Sequence, residues 1–310
     1  MNEIDRRKFL ACSAGAAVAL EAGAAEADRA STPGAGGNPP APPRVPLGRT
    51  GITLSRLAVG TGVHGGNRQS DQTRMGFDRL VGLFRHAYNR GITFFDLADL
   101  YGTHLYFREA LRSIPRERVT ILTKLWWRYD GPTDKGAEPY RRRVATATLE
   151  RFRHELNTDY IDIVLLHCMT TARWDQELGP YMEALTEAKQ KKQIKAVGVS
   201  CHDLGALNKA ADCPWVDVVL GRINPRGAMM DGKVNDVVAA LTRIKKAGKA
   251  LIGMKIFGEG RLVKEKENCI RYAQGLGLLD AMTIGFEAPG QIDEVLNMLA
   301  KFPAARVANS

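Results

Sequence analysis

Three apolar runs end on an ionisable residue, and a tyrosine stands close to the first of them. The runs are Thr93-Phe94-Phe95-Asp96, Val119 to Lys124 and Ile161 to His167; Tyr101 follows Asp96 within Asp96-Leu97-Ala98-Asp99-Leu100-Tyr101-Gly102. A carbonyl that takes hydride at carbon needs a proton at oxygen. A phenol with a pKa of about 10 is a reluctant source, and a neighbouring ammonium favours its ionised form and lowers that value. Lys124 is therefore expected to tune Tyr101, Asp96 to hold Lys124 by an ion pair, and His167 to hydrogen-bond and orient the substrate oxygen. Each alone has a bland reading: a strand-end histidine is most often a packing residue, a tyrosine half-buried surface. Four compatible roles on three successive strands point to catalysis.

Such residues meet only if the strand ends converge. Eight short apolar runs recur along the chain: 56–59, 93–95, 119–123, 161–166, 196–199, 216–220, 250–254 and 281–284. They run apolar instead of alternating, as strands buried on both faces do. Amphipathic segments lie between them, among them 74–90, 138–156, 178–191, 234–246, 265–276 and 292–299. Glycines close two of these in Arg90-Gly91 and Ala247-Gly248. Eight strands alternating with helices predict an α/β fold, a (β/α)₈ TIM barrel, whose C-terminal strand ends share one mouth. The turn-rich Leu47-Gly48-Arg49-Thr50-Gly51-Ile52-Thr53 predicts an N-terminal hairpin across the barrel bottom. The rival, a doubly wound dinucleotide fold, rests on Gly60-Thr61-Gly62-Val63-His64-Gly65. A loop-like Gly66-Asn67-Arg68-Gln69 follows it where that fold needs a helix, and Asp96 comes too late for its ribose acid.

The first 30 residues read as a twin-arginine signal peptide: Arg6-Arg7-Lys8 precedes a small, weakly apolar stretch and alanines near Ala25. Residues 31–44, with PGAGGNPPAPP, read as a Pro/Gly-rich disordered linker. The barrel is expected over 45–310. Export by the twin-arginine machinery to the periplasm follows as an expectation. The apolar stretch is too short for stable membrane insertion.

Net charge is +10, and the first 44 residues contribute none of it, with five basic and five acidic groups. The positive charge lies on scattered helical faces such as Arg141-Arg142-Arg143, so no nucleic-acid partner is expected. Five cysteines lack CxxC spacing, and His64, His104, His154 and His202 lack ligand partners at helical or strand spacing. No metal is expected. Trp126, Trp127 and Tyr129 read either as a wall of the substrate pocket or as a cap on the barrel rim.

These stretches resemble the aldo-keto reductase family from Leu47 to about Leu299. The anchors are Leu47-Gly48-Arg49-Thr50-Gly51, Val59-Gly60-Thr61-Gly62, Asp96 with Tyr101-Gly102, Thr123-Lys124, Leu166-His167 and Val197-Gly198-Val199-Ser200. The resemblance implies an NADP(H)-dependent oxidoreductase, NADP(H) in preference to NAD(H), acting on a small carbonyl (aldehyde, ketone or sugar) or its alcohol. Tyr101 is then the general acid/base, assisted by Lys124, Asp96 and His167. It further implies cofactor contacts at Gly60 and Thr61, at Ser200 and Cys201, and at Arg222 on the nicotinamide side. Lys255, Phe257, Gly258, Gly260 and Leu262 fall in the pyrophosphate loop, and Gly285, Gln291 and Glu294 in the adenosine segment. Cys201 stands where the family has Asn, Met254 where many members have an aromatic residue, and Phe286, Glu287 and Ala288 where a cation for the 2′-phosphate is expected. The alternative reading is a non-catalytic nicotinamide-binding barrel serving as a sensing or accessory subunit.

Overall fold

The computed structural model describes residues 37–127 and 138–305. The signal segment, most of the linker and Tyr129 lie outside them. Two short strands, β1 (Arg44–Pro46) and β2 (Thr53–Ser55), pair antiparallel around the Leu47–Ile52 turn. Eight parallel strands then close a barrel: β3 (Leu57–Gly60), β4 (Phe94–Asp96), β5 (Thr120–Leu125), β6 (Ile161–Met169), β7 (Ile194–Cys201), β8 (Val218–Arg222), β9 (Ala250–Met254) and β10 (Ala281–Gly285). β10 pairs with β3 to complete the ring. All eight overlap the apolar runs of the sequence.

Helices fill the crossovers: α1 (Asp71–Arg74), α2 (Phe77–Asn89), α3 (His104–Leu111), α4 (Glu138–Leu156), α5 (Trp174–Glu177), α6 (Gly179–Gln190), α7 (Leu204–Asp212), α8 (Val234–Lys246), α9 (Lys266–Gly275) and α10 (Pro289–Lys301). The expected helix 74–90 is broken at its start. Gly76 sits at φ 97°, outside the helical region, and α2 begins only after it.

Period-2 alternation divides the apolar residues into two cores. Outward residues such as Phe95, Val164, Val199 and Leu251 pack against the helices, while Phe94, Leu122, Leu165, Val218 and Ile252 fill the barrel interior. The hairpin supplies Leu47, Ile52 and Leu54 to the interior core and plugs the end at which the strands begin. Burial of apolar surface from two sides fixes strand register. Register in turn decides which side chains reach the open end.

Candidate active site

Counting two residues on from the inward-facing layer gives the last inward position of each strand. Phe94 leads to Asp96, Leu122 to Lys124, Leu165 to His167 and Ala281 to Thr283. These side chains form the floor of the mouth. Lys124, only 1% exposed, ion-pairs with Asp96 and donates to the Leu97 carbonyl at 3.0 Å. The other Asp96 oxygen accepts from Thr283 Oγ1 at 2.9 Å. Thr283 escaped the sequence reading because it is uncharged, although it obeys the same strand-end rule as its partners.

Tyr101 comes from a 3₁₀ turn over Asp99–Tyr101, not from a strand. Asp99, wholly buried, is clamped by Arg68 (2.8 Å) and Arg151 (2.7 Å). Both arginines also reach Glu155, which bonds His104 Nδ1 at 2.7 Å while His104 Nε2 meets Thr123 Oγ1 at 2.7 Å. Burial works against the Glu155 carboxylate, yet hydrogen bonds from His104 and Arg151 bring its pKa down to about 2. This network fixes the turn from beneath. From above, the loop after β3 lies on the phenol. A Cβ on Gly62 would stand 2.7 Å from Tyr101 Cε1 and nearer still to Cζ, and one on Gly65 2.6 Å from Cε1. Gly62 and Gly65 of the GxGxxG stretch thus make room for the Tyr101 ring, within a barrel loop and not a dinucleotide fingerprint.

Tyr101 Oη and His167 Nε2 are 3.2 Å apart, and Lys124 Nζ lies 4.9 Å from the phenol centroid. Burial, with Lys124, His202 and Lys255, holds His167 well below the usual histidine range, so its ring is neutral at pH 7. With the proton on Nε2 it donates towards Tyr101 Oη and any oxygen seated beside it. Trp126 meets the His167 ring edge-on at 5.8 Å, and Trp127 Nε1 donates to the His167 carbonyl at 3.0 Å. Trp126 thus flanks the His167 ring and Trp127 braces the His167 backbone. One expectation is reversed. The Tyr101 pKa is raised well above its ordinary value by burial and by the Asp96, Cys168 and Glu259 charges. The Lys124 ammonium, ion-paired with Asp96, does not outweigh them, so the phenol stays protonated at neutral pH.

A groove of about 450 Å³ runs from Tyr101 across the β9, β10 and β3 ends. Of the residues expected at a cofactor, Gly60, Lys255, Phe257, Gly260, Gly285, Gln291 and Glu294 line it. Six do not. Thr61 is buried, with its hydroxyl on the Asp96 carbonyl at 2.9 Å, and ties β3 to β4. Ser200 is buried too and accepts the Cys168 amide at 2.9 Å. Cys201, one residue out of phase with Ser200, faces the helices and belongs to the outer core. Arg222 pairs with Asp231 at 3.3 Å and bonds the Met229 carbonyl. Gly258 packs on Ala228, and Leu262 is buried in the outer core. The groove does fit an extended dinucleotide. Its middle holds three successive left-handed residues, Gly258, Glu259 and Gly260 (φ 56°, 57° and 91°), and the amides of Glu259 and Gly260 donate to no described residue, as a seat for a diphosphate requires. Its far end carries Lys266, from the start of α9, ion-paired with Glu294 at 2.5 Å. Among the described residues no three His, Cys, Asp or Glu side chains gather as a metal would need, and no helix is long and apolar enough to cross a membrane.

Known proteins resemble this chain in sequence and in fold. The chain is 30% identical over 164 residues to a probable aldo-keto reductase 1 of Glycine max, covering 50% of this chain and 44% of that protein. It is 26% identical over 211 residues to the NADH-specific methylglyoxal reductase of Escherichia coli (strain K12), covering 62% of each. The chain therefore spans about half to three-fifths of the curated relatives it matches. A crystal structure of a Bombyx mori aldo-keto reductase in complex with NADP superposes with a TM-score of 0.62 at 17% identity, over 83% of this chain and 88% of that one, a likeness of fold. The profile of the aldo/keto reductase family matches residues 56–301, from the start of the barrel into α10, and the chain belongs to that family.

Proposed function

We propose that the chain is a nicotinamide-dependent oxidoreductase that reduces small aldehydes or ketones, sugars included, with Tyr101 as proton donor. The observation that carries the reading is the Tyr101 Oη–His167 Nε2 contact, with Tyr101 lining a groove of about 450 Å³ that fits an extended cofactor. A bound nicotinamide supplies the hydride. The chain's own residues do the rest. His167, neutral, donates to the carbonyl oxygen and orients it. Tyr101 delivers its proton to that oxygen, and the buried Lys124 ammonium, held by Asp96, sits close enough to steady the phenolate that remains. Trp126 offers an aromatic wall. A phenol whose pKa is raised keeps its proton through neutral pH, so the protonated donor is fully populated there. Reductase rates should stay flat through neutral pH, whereas alcohol oxidation should climb with pH. The direct test is turnover of a panel of aliphatic, aromatic and sugar aldehydes by wild type and Tyr101→Phe. Loss of the proton donor should cost about 10²–10⁴-fold in kcat. Equal rates in both proteins would leave the non-catalytic accessory barrel as the better reading.

For the cofactor, the reading is NADP(H) over NAD(H). Lys266 stands at the adenosine end of the groove, where it can exchange Glu294 for a 2′-phosphate. NAD(H) is the second reading, favoured by the Glu287 and Glu294 carboxylates at the same end, which suit a ribose hydroxyl. Titrating NADPH and NADH into wild type and Lys266→Met separates them, since only a 2′-phosphate contact makes that substitution selective for NADPH. The same proposal places residues 1–30 as a twin-arginine signal, 31–44 as a linker and the folded enzyme in the periplasm. Support comes from Arg6-Arg7 and the short apolar stretch after them. Cell fractionation of the Arg6→Lys, Arg7→Lys double variant should find it retained inside; unchanged export would refute the signal.

A further inference from the structure

Two charged side chains on the groove wall have no part in the proton transfer just described. Lys255 and Glu259 form a direct ion pair, and both line the groove beside Tyr101. They are mostly buried, with side-chain exposures of 20% and 15%. Both hold left-handed backbone, φ 56° and 57°, which a residue with a Cβ adopts only under constraint. Strain at both members of one ion pair implies that the local fold, and not side-chain preference, sets their position. Glycines flank Glu259 on each side, so the chain turns tightly about a carboxylate in a loop that lines the groove and whose Glu259 and Gly260 amides donate to no described residue.

A diphosphate seated on those amides would meet an ammonium already engaged and a carboxylate of its own sign. We propose that the Lys255–Glu259 pair is a charge latch on the diphosphate seat, in which an entering diphosphate takes Lys255 from Glu259 and the displaced carboxylate limits how tightly a dinucleotide is held. The inference rests on the nicotinamide-dependent reading above and names the chain's own residues that tune it. The charges of the pair also reach the catalytic groups: Glu259 helps to raise Tyr101, and Lys255 helps to depress His167 and His202. The latch therefore stands between the cofactor seat and the proton donor.

The test is affinity, read from tryptophan fluorescence or calorimetry, for NADPH, NADH and inorganic pyrophosphate, with nicotinamide riboside as a probe that lacks a diphosphate. Glu259→Gln, nearly isosteric, should tighten the diphosphate-bearing probes about tenfold, the scale of one like charge removed from a partly screened site. Lys255→Met should loosen them by at least that factor, and Lys255→Arg should restore much of the loss. Pyrophosphate binding should fall with added salt in wild type and less steeply in Lys255→Met. Nicotinamide riboside should bind all the variants alike. Thermal melts confirm that each variant is folded. If Glu259→Gln and Lys255→Met both bind pyrophosphate as wild type does, or shift the riboside equally, the latch is wrong. If the variants shift pyrophosphate as stated but neither dinucleotide binds, the latch stands and the nicotinamide reading falls instead.

Discussion

Substituting alanine for Gly62 tests the claim that the loop after β3 exists to seat Tyr101. The added methyl would lie 2.7 Å from Tyr101 Cε1 and closer to Cζ, where ordinary carbon contacts need about 3.5–4 Å. Either the loop lifts or the phenol retreats by roughly 1 Å. The loop resists, because Thr61 bonds the Asp96 carbonyl through both amide (3.2 Å) and hydroxyl (2.9 Å) and Val63 accepts from Asp71 at 2.9 Å. The phenol therefore moves, and its 3.2 Å contact with His167 opens. A misplacement of about 1 Å in a reacting group costs on the order of 10²-fold. The expected result for Gly62→Ala is a kcat about two orders of magnitude down, with nicotinamide affinity little changed and a melting temperature close to wild type. Gly65→Ala, with its methyl 2.5 Å from Tyr101 Cδ1, should behave alike. Gly66→Ala is the control in the same loop, for nothing lies within 4 Å of its Cβ. Steady-state kinetics with thermal melts on the three variants decide the matter. A fully active Gly62→Ala, or a Gly66→Ala as impaired as the others, would refute the reasoning.

Two further outcomes follow from the mouth of the barrel. Thr283→Val removes the hydroxyl that donates to Asp96 Oδ2 and should cost about 1.5–3 kcal/mol in chemical denaturation, the scale of a hydrogen bond to a charged group; a smaller kcat should accompany it as Lys124 loosens. Burial pushes the Asp231 carboxyl up to about 6, against the pull of Arg222 and with Asp203 adding to the rise. A raised folded pKa means that the stabilisation is complete below the unfolded value near 4 and is lost as pH rises through about 6. Melting temperature compared between wild type and Asp231→Asn should diverge over that window, the variant holding its stability at neutral pH; parallel curves would contradict the assignment.

What the sequence disclosed, and what it hid, follows from where physical information resides in a chain. A strand buried on both faces must be apolar throughout, so β3 to β10 announce themselves, and the first polar side chain after each run marks the mouth. Asp96, Lys124 and His167 were legible for that reason. Register beyond the strand end is a different matter. Ser200 and Cys201 are neighbours in sequence, yet period two sends one into the mouth layer and the other against the helices, so a family position carried over as a pair divides in space. The places of Lys266 in the groove and of Thr283 beside Asp96 were hidden because they depend on packing between elements far apart in sequence. The acid strength of Tyr101 was misjudged for a related reason. A sequence shows that an ammonium is near, but only the fold shows that burial and the Asp96 charge beside it outweigh that ammonium at the phenol. A sequence can thus name a candidate proton donor, while how firmly that donor keeps its proton depends on the burial and the charges around it.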